Sequence, residues 1–86
     1  MMKSVYKEEK TVSEVDFGKV ELNLKEYLDK RGITRNQLSV YTGIKYQTID
    51  RYYKAVDIER VDLTLLAKIC FVLECNLSDI LGYVRP

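Results

Sequence analysis

The 86-residue sequence has no histidine, only two cysteines, and no apolar run approaching the ~20 residues that cross a bilayer. Without histidine the commonest general base is missing. Cys70 and Cys75, five apart in "KICFVLEC", cannot complete a four-ligand zinc site on their own. They read as plain thiols packed as small hydrophobes. The chain also lacks a glycine-rich phosphate loop, a nucleophile elbow and a paired-carboxylate motif; Glu8 and Glu9 adjoin in a polar segment and read as solvation. The expectation is therefore a protein that is not an enzyme and carries no metal or cofactor, with no small-molecule ligand evident. The opening residues, "MMKSVYKEEKTVSEVDFGKV", mix charges throughout and have no apolar segment of the signal-peptide kind. That points to the cytoplasm and away from a membrane.

What is present suits a small globular domain. Apolar residues make up 47% of the chain, too many for disorder and ordinary for one core. Net charge is only +1, but it is unevenly placed. Residues 25–54 hold seven cations (Lys25, Lys30, Arg31, Arg35, Lys45, Arg51, Lys54) against Glu26, Asp29 and Asp50, a local excess of +4. A polyanion would bind in that middle third; taken alone, the excess is equally a fluctuation of surface charge.

Along the chain the hydrophobic period changes once. Val15 and Phe17, then Val20, Leu22 and Leu24, alternate with polar residues, and Gly18 offers a turn. Residues 1–19 therefore read as an N-terminal arm or hairpin, and residues 20–86 as the folded domain. From Asn23 the period becomes helical. Asn23 and Glu26 approximate a capping box, Leu24, Tyr27, Leu28 and Arg31 share a face, and Gly32 ends the helix. Thr34 and Gln37 repeat the start signal, and Gly43 repeats the stop. A third helix follows in "GIKYQTIDRYY". Asp62 can cap a fourth, "LTLLAKICFVLEC", so apolar that it must be buried on more than one side. Its second side meets either a partner subunit or the rest of a monomer's core. Asn76 and Asp79 open a short fifth helix, "LSDIL", which Gly82 would end, and "YVRP" can form a brief strand beside Val20–Leu24.

The stretch "TRNQLSVYTGIKYQTIDRYY", residues 34–53, has a particular spacing. A small residue, Ser39, stands four before Gly43, and Ile49 follows six later. Two helices crossing over a tight turn need a small side chain at the contact and a residue that tolerates positive φ in the turn. Leu38, Ile44, Ile49 and Tyr52 would then face inward. This pattern, with its flanking helices from about Leu24 to Tyr83, resembles the phage-repressor/Cro-type (XRE-like) helix-turn-helix family, in its compact single-domain form. The resemblance implies an all-α, five-helix lambda-repressor-like domain, with short terminal β-strands compatible with the period-two segments. Departures from the family pattern are Arg35 where Gln is common, Ser39 where Ala is usual, Lys45 where Ser or Thr precedes the third helix, and Lys54-Ala55 where Asn-Gly is frequent. The Ser39 hydroxyl must find a partner.

In that family the third helix enters the major groove of double-stranded DNA, which would explain its polar outer face. Lys45 at a helix N-terminus opposes the helix dipole and leaves the free N–H groups uncapped, at a cost of ~0.5–2 kcal/mol relative to Ser. A phosphate there would satisfy both. Gln47 can pair bidentately with adenine. Tyr46 would offer its hydroxyl to a phosphate or its ring to a thymine methyl, unless the ring packs back on the second helix, and Thr48 would touch a base or bond its own helix. Arg35, Arg51 and Lys54 would meet phosphates. The leading expectation is a sequence-specific transcriptional regulator, a repressor acting as a homodimer. The alternative is a protein-interaction module of the same fold, antitoxin-like, that reads no DNA.

Overall fold

The computed structural model describes residues 15–86. The order of elements is β1 (Lys19–Leu22), α1 (Leu24–Arg31), α2 (Arg35–Thr42), α3 (Tyr46–Lys54), α4 (Leu63–Leu73), α5 (Leu77–Ile80) and β2 (Leu81–Val84). None of these helices is long and apolar enough to cross a membrane.

The two strands pair antiparallel, with Lys19 opposite Val84 and Leu22 opposite Leu81. The period-two reading thus holds for residues 19–22, which join the C-terminal strand, while Leu24 already belongs to α1. Most of the expected arm or hairpin, residues 1–14, lies outside the described residues. Gly18 does turn the chain, at φ +77°, and a Cβ there would stand 2.2 Å from the Val84 carbonyl oxygen. Only glycine permits that approach of the residue before β1 to the end of β2.

Among the described residues, five helices close on one core: Leu24 and Leu28 from α1, Leu38 from α2, Ile49 and Tyr52 from α3, Leu66, Ile69 and Leu73 from α4, and Ile80 from α5. The buried Tyr52 hydroxyl accepts from the Asp62 N–H at 2.8 Å, so the core includes its polar atom without leaving it unpaired. Asp62 in turn caps α4 through the N–H groups of Thr64 and Leu65.

Three local readings are corrected. Asn23 does not act as a side-chain cap of α1. Its backbone sits at φ −111°, ψ 26°, away from the extended geometry an N-cap needs, because its N–H is tied to the Ile80 carbonyl at 2.8 Å. Gly82 does not end α5. The helix stops at Ile80, Leu81 turns extended (φ −141°, ψ 133°), and Gly82 lies opposite Glu21 in the sheet. Finally, of the two alternatives for the second side of α4, the core formed by the described residues of this one chain does not cover it, so the central core helix of a monomer is the alternative corrected. Its Leu63 and Phe71 are 77% and 85% exposed. Cys70 and Cys75 are free thiols, half-buried against the core, and burial beside Cys70 pushes the Cys75 thiol up to about 11.

Candidate nucleic-acid interface

The α2–turn–α3 unit is built by local hydrogen bonds. Thr34 and Gln37 form a complete capping box: the Gln37 N–H donates to Thr34 Oγ1 at 3.0 Å and the Thr34 N–H to Gln37 Oε1 at 2.9 Å. At the other end of α2, Gly43 takes φ +74° and donates its N–H to the Ser39 carbonyl at 2.9 Å. The Ser39 hydroxyl donates to the Ile44 carbonyl at 2.6 Å, fastening the helix contact to the far side of the turn. Thr42 adds a second stitch. Its hydroxyl donates to the Leu38 carbonyl at 2.7 Å and accepts from the Ile44 N–H at 3.2 Å. This role of Thr42 is absent from the sequence reading; a hydroxyl directly before a C-terminal glycine was the available signal.

Leu38, Ile49 and Tyr52 are buried and Ile44 is half-buried against them. The inward face of α3 is therefore fixed, and its outward face follows from the helical period. Lys45, Tyr46, Gln47, Arg51 and Lys54 are exposed; Thr48 is half-buried. Lys45 stands at the N-cap with no side-chain bond to the helix, while its carbonyl accepts from the Thr48 and Ile49 N–H groups. The positive end of α3 is thus open to an anion, with a cation beside it. The other end closes at Ala55, which adopts φ +52° and donates its N–H to the Arg51 carbonyl at 3.0 Å.

A polar network crosses this unit. Arg35, at the start of α2, donates to Asp50 of α3 at 2.5 Å. Its guanidinium lies 4.4 Å from the centre of the Tyr53 ring. The Tyr53 hydroxyl donates to Asp29 of α1 at 2.8 Å, and Lys25 pairs with the same carboxylate at 2.7 Å. Asp50 also meets Lys54 at 3.0 Å. Hydrogen bonds from Lys54 and Arg35 hold the Asp50 carboxyl below the usual carboxylate value. Lys25 and Tyr53 do the same for Asp29, which in turn holds Tyr53 protonated above the usual phenol value. Of the residues expected to meet phosphate, Arg51 is exposed beside the Tyr52 ring, Lys54 is partly engaged by Asp50, and Arg35 is turned inward onto Asp50 and Tyr53. Of the two alternatives the sequence offers for Tyr53, DNA backbone or a neighbouring helix, it meets neighbouring helices here, while Asp50 had no partner assigned. The Asp50–Lys54 spacing of four was visible there; Arg35 lies fifteen residues from Asp50 and meets it only in the fold.

Comparison with known proteins agrees with this construction. Residues 23–86 match the sequence profile of the Cro/C1-type HTH DNA-binding domain. Among solved structures, the transcriptional regulator VanUg (crystal form II) superposes with a TM-score of 0.64 at 26% identity, covering 92% of this chain and all of that one. No curated protein matches. The matched family is a DNA-binding one, typically without catalysis. On the match over residues 23–86, the chain belongs to the Cro/C1-type (XRE-like) helix-turn-helix family of DNA-binding domains.

Proposed function

We propose that the protein is a sequence-specific transcriptional repressor that inserts α3 into the major groove of double-stranded DNA. The observation that carries this reading is the open N-terminus of α3, where Lys45, Tyr46 and Gln47 stand exposed and no side chain caps the helix. Lys45 and the free N–H groups suit a phosphate. Gln47 carries the amide that would pair bidentately with adenine, with Tyr46 and Thr48 next to it in the sequence. Arg51 and Lys54 follow along the helix as cations for the backbone. One such helix reads few bases, so two copies on a two-fold operator, with half-sites about 34–36 Å apart, would supply the needed specificity. The setting is cytoplasmic.

Selection of bound genomic fragments, followed by gel shifts across a salt series, tests the reading. Duplex affinity is expected to fall steeply with salt. Gln47→Ala is expected to erase the preference between operator and scrambled duplex, and Arg51→Ala to weaken both alike. A second reading has its own observation: Leu63, Phe71 and Leu77 are 77%, 85% and 48% exposed on the α4–α5 side, as an interaction module would present them. Failure to retain any duplex at low salt, together with capture of a protein partner through that side, would favour it.

A further inference from the structure

Arg35 touches α3 at two places. Its Nη1 donates to Asp50, and its guanidinium plane lies over the Tyr53 ring. Residues three apart on a helix share a face. A side chain gripping both resists rotation of α3 about its own axis, adding two directional contacts on the α1–α2 side to the packing of Ile49 and Tyr52 and to the Tyr52 hydroxyl's bond with the Asp62 N–H. Tyr53 is itself held to α1 through Asp29, so rotation would have to break contacts with two helices. The Arg35 side chain is 34% exposed and that of Asp50 24%, whereas that of Lys54 is 61% exposed. A cation meant chiefly for phosphate would sit like Lys54.

We propose that Arg35 is a positioning residue: it sets the rotation of α3, and through it the aim of Lys45, Tyr46 and Gln47, instead of serving as a phosphate contact. The proposal rests on the DNA-binding reading above for its consequence, but not for its geometry.

The two roles differ in what they do to binding. A phosphate contact contributes about 0.9 to the slope of log affinity against log salt and acts on every sequence alike. A positioning residue leaves the slope unchanged and alters discrimination among sequences. The experiment compares wild type, Arg35→Gln and Asp50→Asn, each first shown to be folded by its thermal transition, on operator and scrambled duplex over a salt series. Both variants are expected to lose about tenfold in the operator-to-scrambled ratio, the worth of roughly one base pair, with the slope unchanged. Asp50→Asn is the decisive arm, because it keeps the Arg35 cation and removes its tether; it also releases Lys54, which would strengthen binding to both duplexes alike and leave the ratio to report on Arg35. Uniform weakening by Arg35→Gln with a slope shallower by about 0.9, and no loss of discrimination in Asp50→Asn, would overturn the proposal; so would unaltered binding in both. Residual dipolar couplings of the free proteins separate this from the functional reading: α3 is expected to reorient relative to α1 in both variants. A wild type that binds no duplex refutes the DNA reading alone, whereas an unmoved α3 refutes the positioning role alone.

Discussion

Gly43 and Ala55 occupy the same left-handed backbone region at the C-caps of adjacent helices, at φ +74° and +52°. For a side chain with a Cβ that region costs ~1–2 kcal/mol. At Gly43 the added Cβ would meet no atom within 4 Å, so the cost of Gly43→Ala is the backbone strain less the ~0.5–1 kcal/mol of chain entropy that Ala removes from the unfolded state, a net loss of about 0.5–1 kcal/mol in urea unfolding. Ala55 already carries that cost. Ala55→Gly relieves it but returns ~0.5–1 kcal/mol of chain entropy to the unfolded state, so a net gain of about 0.5 kcal/mol is expected. A loss on Ala55→Gly would mean that the strain is not there. This scale was the most legible in the sequence: the Ser39–Gly43 spacing and the Thr34–Gln37 box depend on neighbours within five residues. Arg35 was not legible in the same way. Its composition and position suggested a phosphate ligand, and only the fold brings Asp50 and Tyr53 to it.

Helix starts show what local patterns can and cannot decide. Thr34 and Asn23 both looked like N-caps, but only Thr34 has the extended backbone (φ −84°, ψ 158°) that aims a side-chain oxygen at the first turn. Thr34→Ala should therefore cost about 1 kcal/mol. Asn23→Ala should stay within ~0.5 kcal/mol, since the bond that matters there belongs to its main chain and survives the change. Chemical denaturation of the two variants decides it; equal costs would restore Asn23 as a cap. The fifth helix starts as read, at the Asn76–Asp79 box, but its end was misjudged for a related reason. Glycine after an apolar turn usually ends a helix, yet Gly82 serves β2, whose partner is some sixty residues away and invisible to a local pattern. The exposed flank of α4 is the converse case: composition called for burial on two sides, and within one chain five short helices cover only one.

At the scale of the whole molecule, the missing histidine and the polar network together shape the response to pH. No side chain of the ordinary mid-range titrating kind is present to change charge between pH 5 and 8. At the acid edge, Asp29 and Asp50 are held below their ordinary value of 3.8 by Lys25 and Tyr53, and by Lys54 and Arg35. A carboxyl depressed in the folded state contributes stability that is complete above its unfolded value and is lost as pH falls through the folded one. The acid limb should therefore begin near pH 3.8 and extend below it. At the alkaline edge the sign reverses. Cys75 is raised from 9.0 to about 11, and Tyr53 is raised from 10.0 by its bond to Asp29. Groups raised in the folded state contribute stability that is full below the unfolded value and disappears as pH climbs through the folded one. The urea midpoint should accordingly be flat from about pH 5 to 8, fall below 3.8, and fall again from 9 upward. Combining Asp29→Asn with Asp50→Asn should lower the plateau and flatten the acid limb while leaving the Cys75 share of the alkaline limb in place. An acid limb as steep in that double variant as in wild type would show that the Lys25–Asp29–Tyr53–Arg35–Asp50–Lys54 chain contributes nothing to holding the three N-terminal helices together.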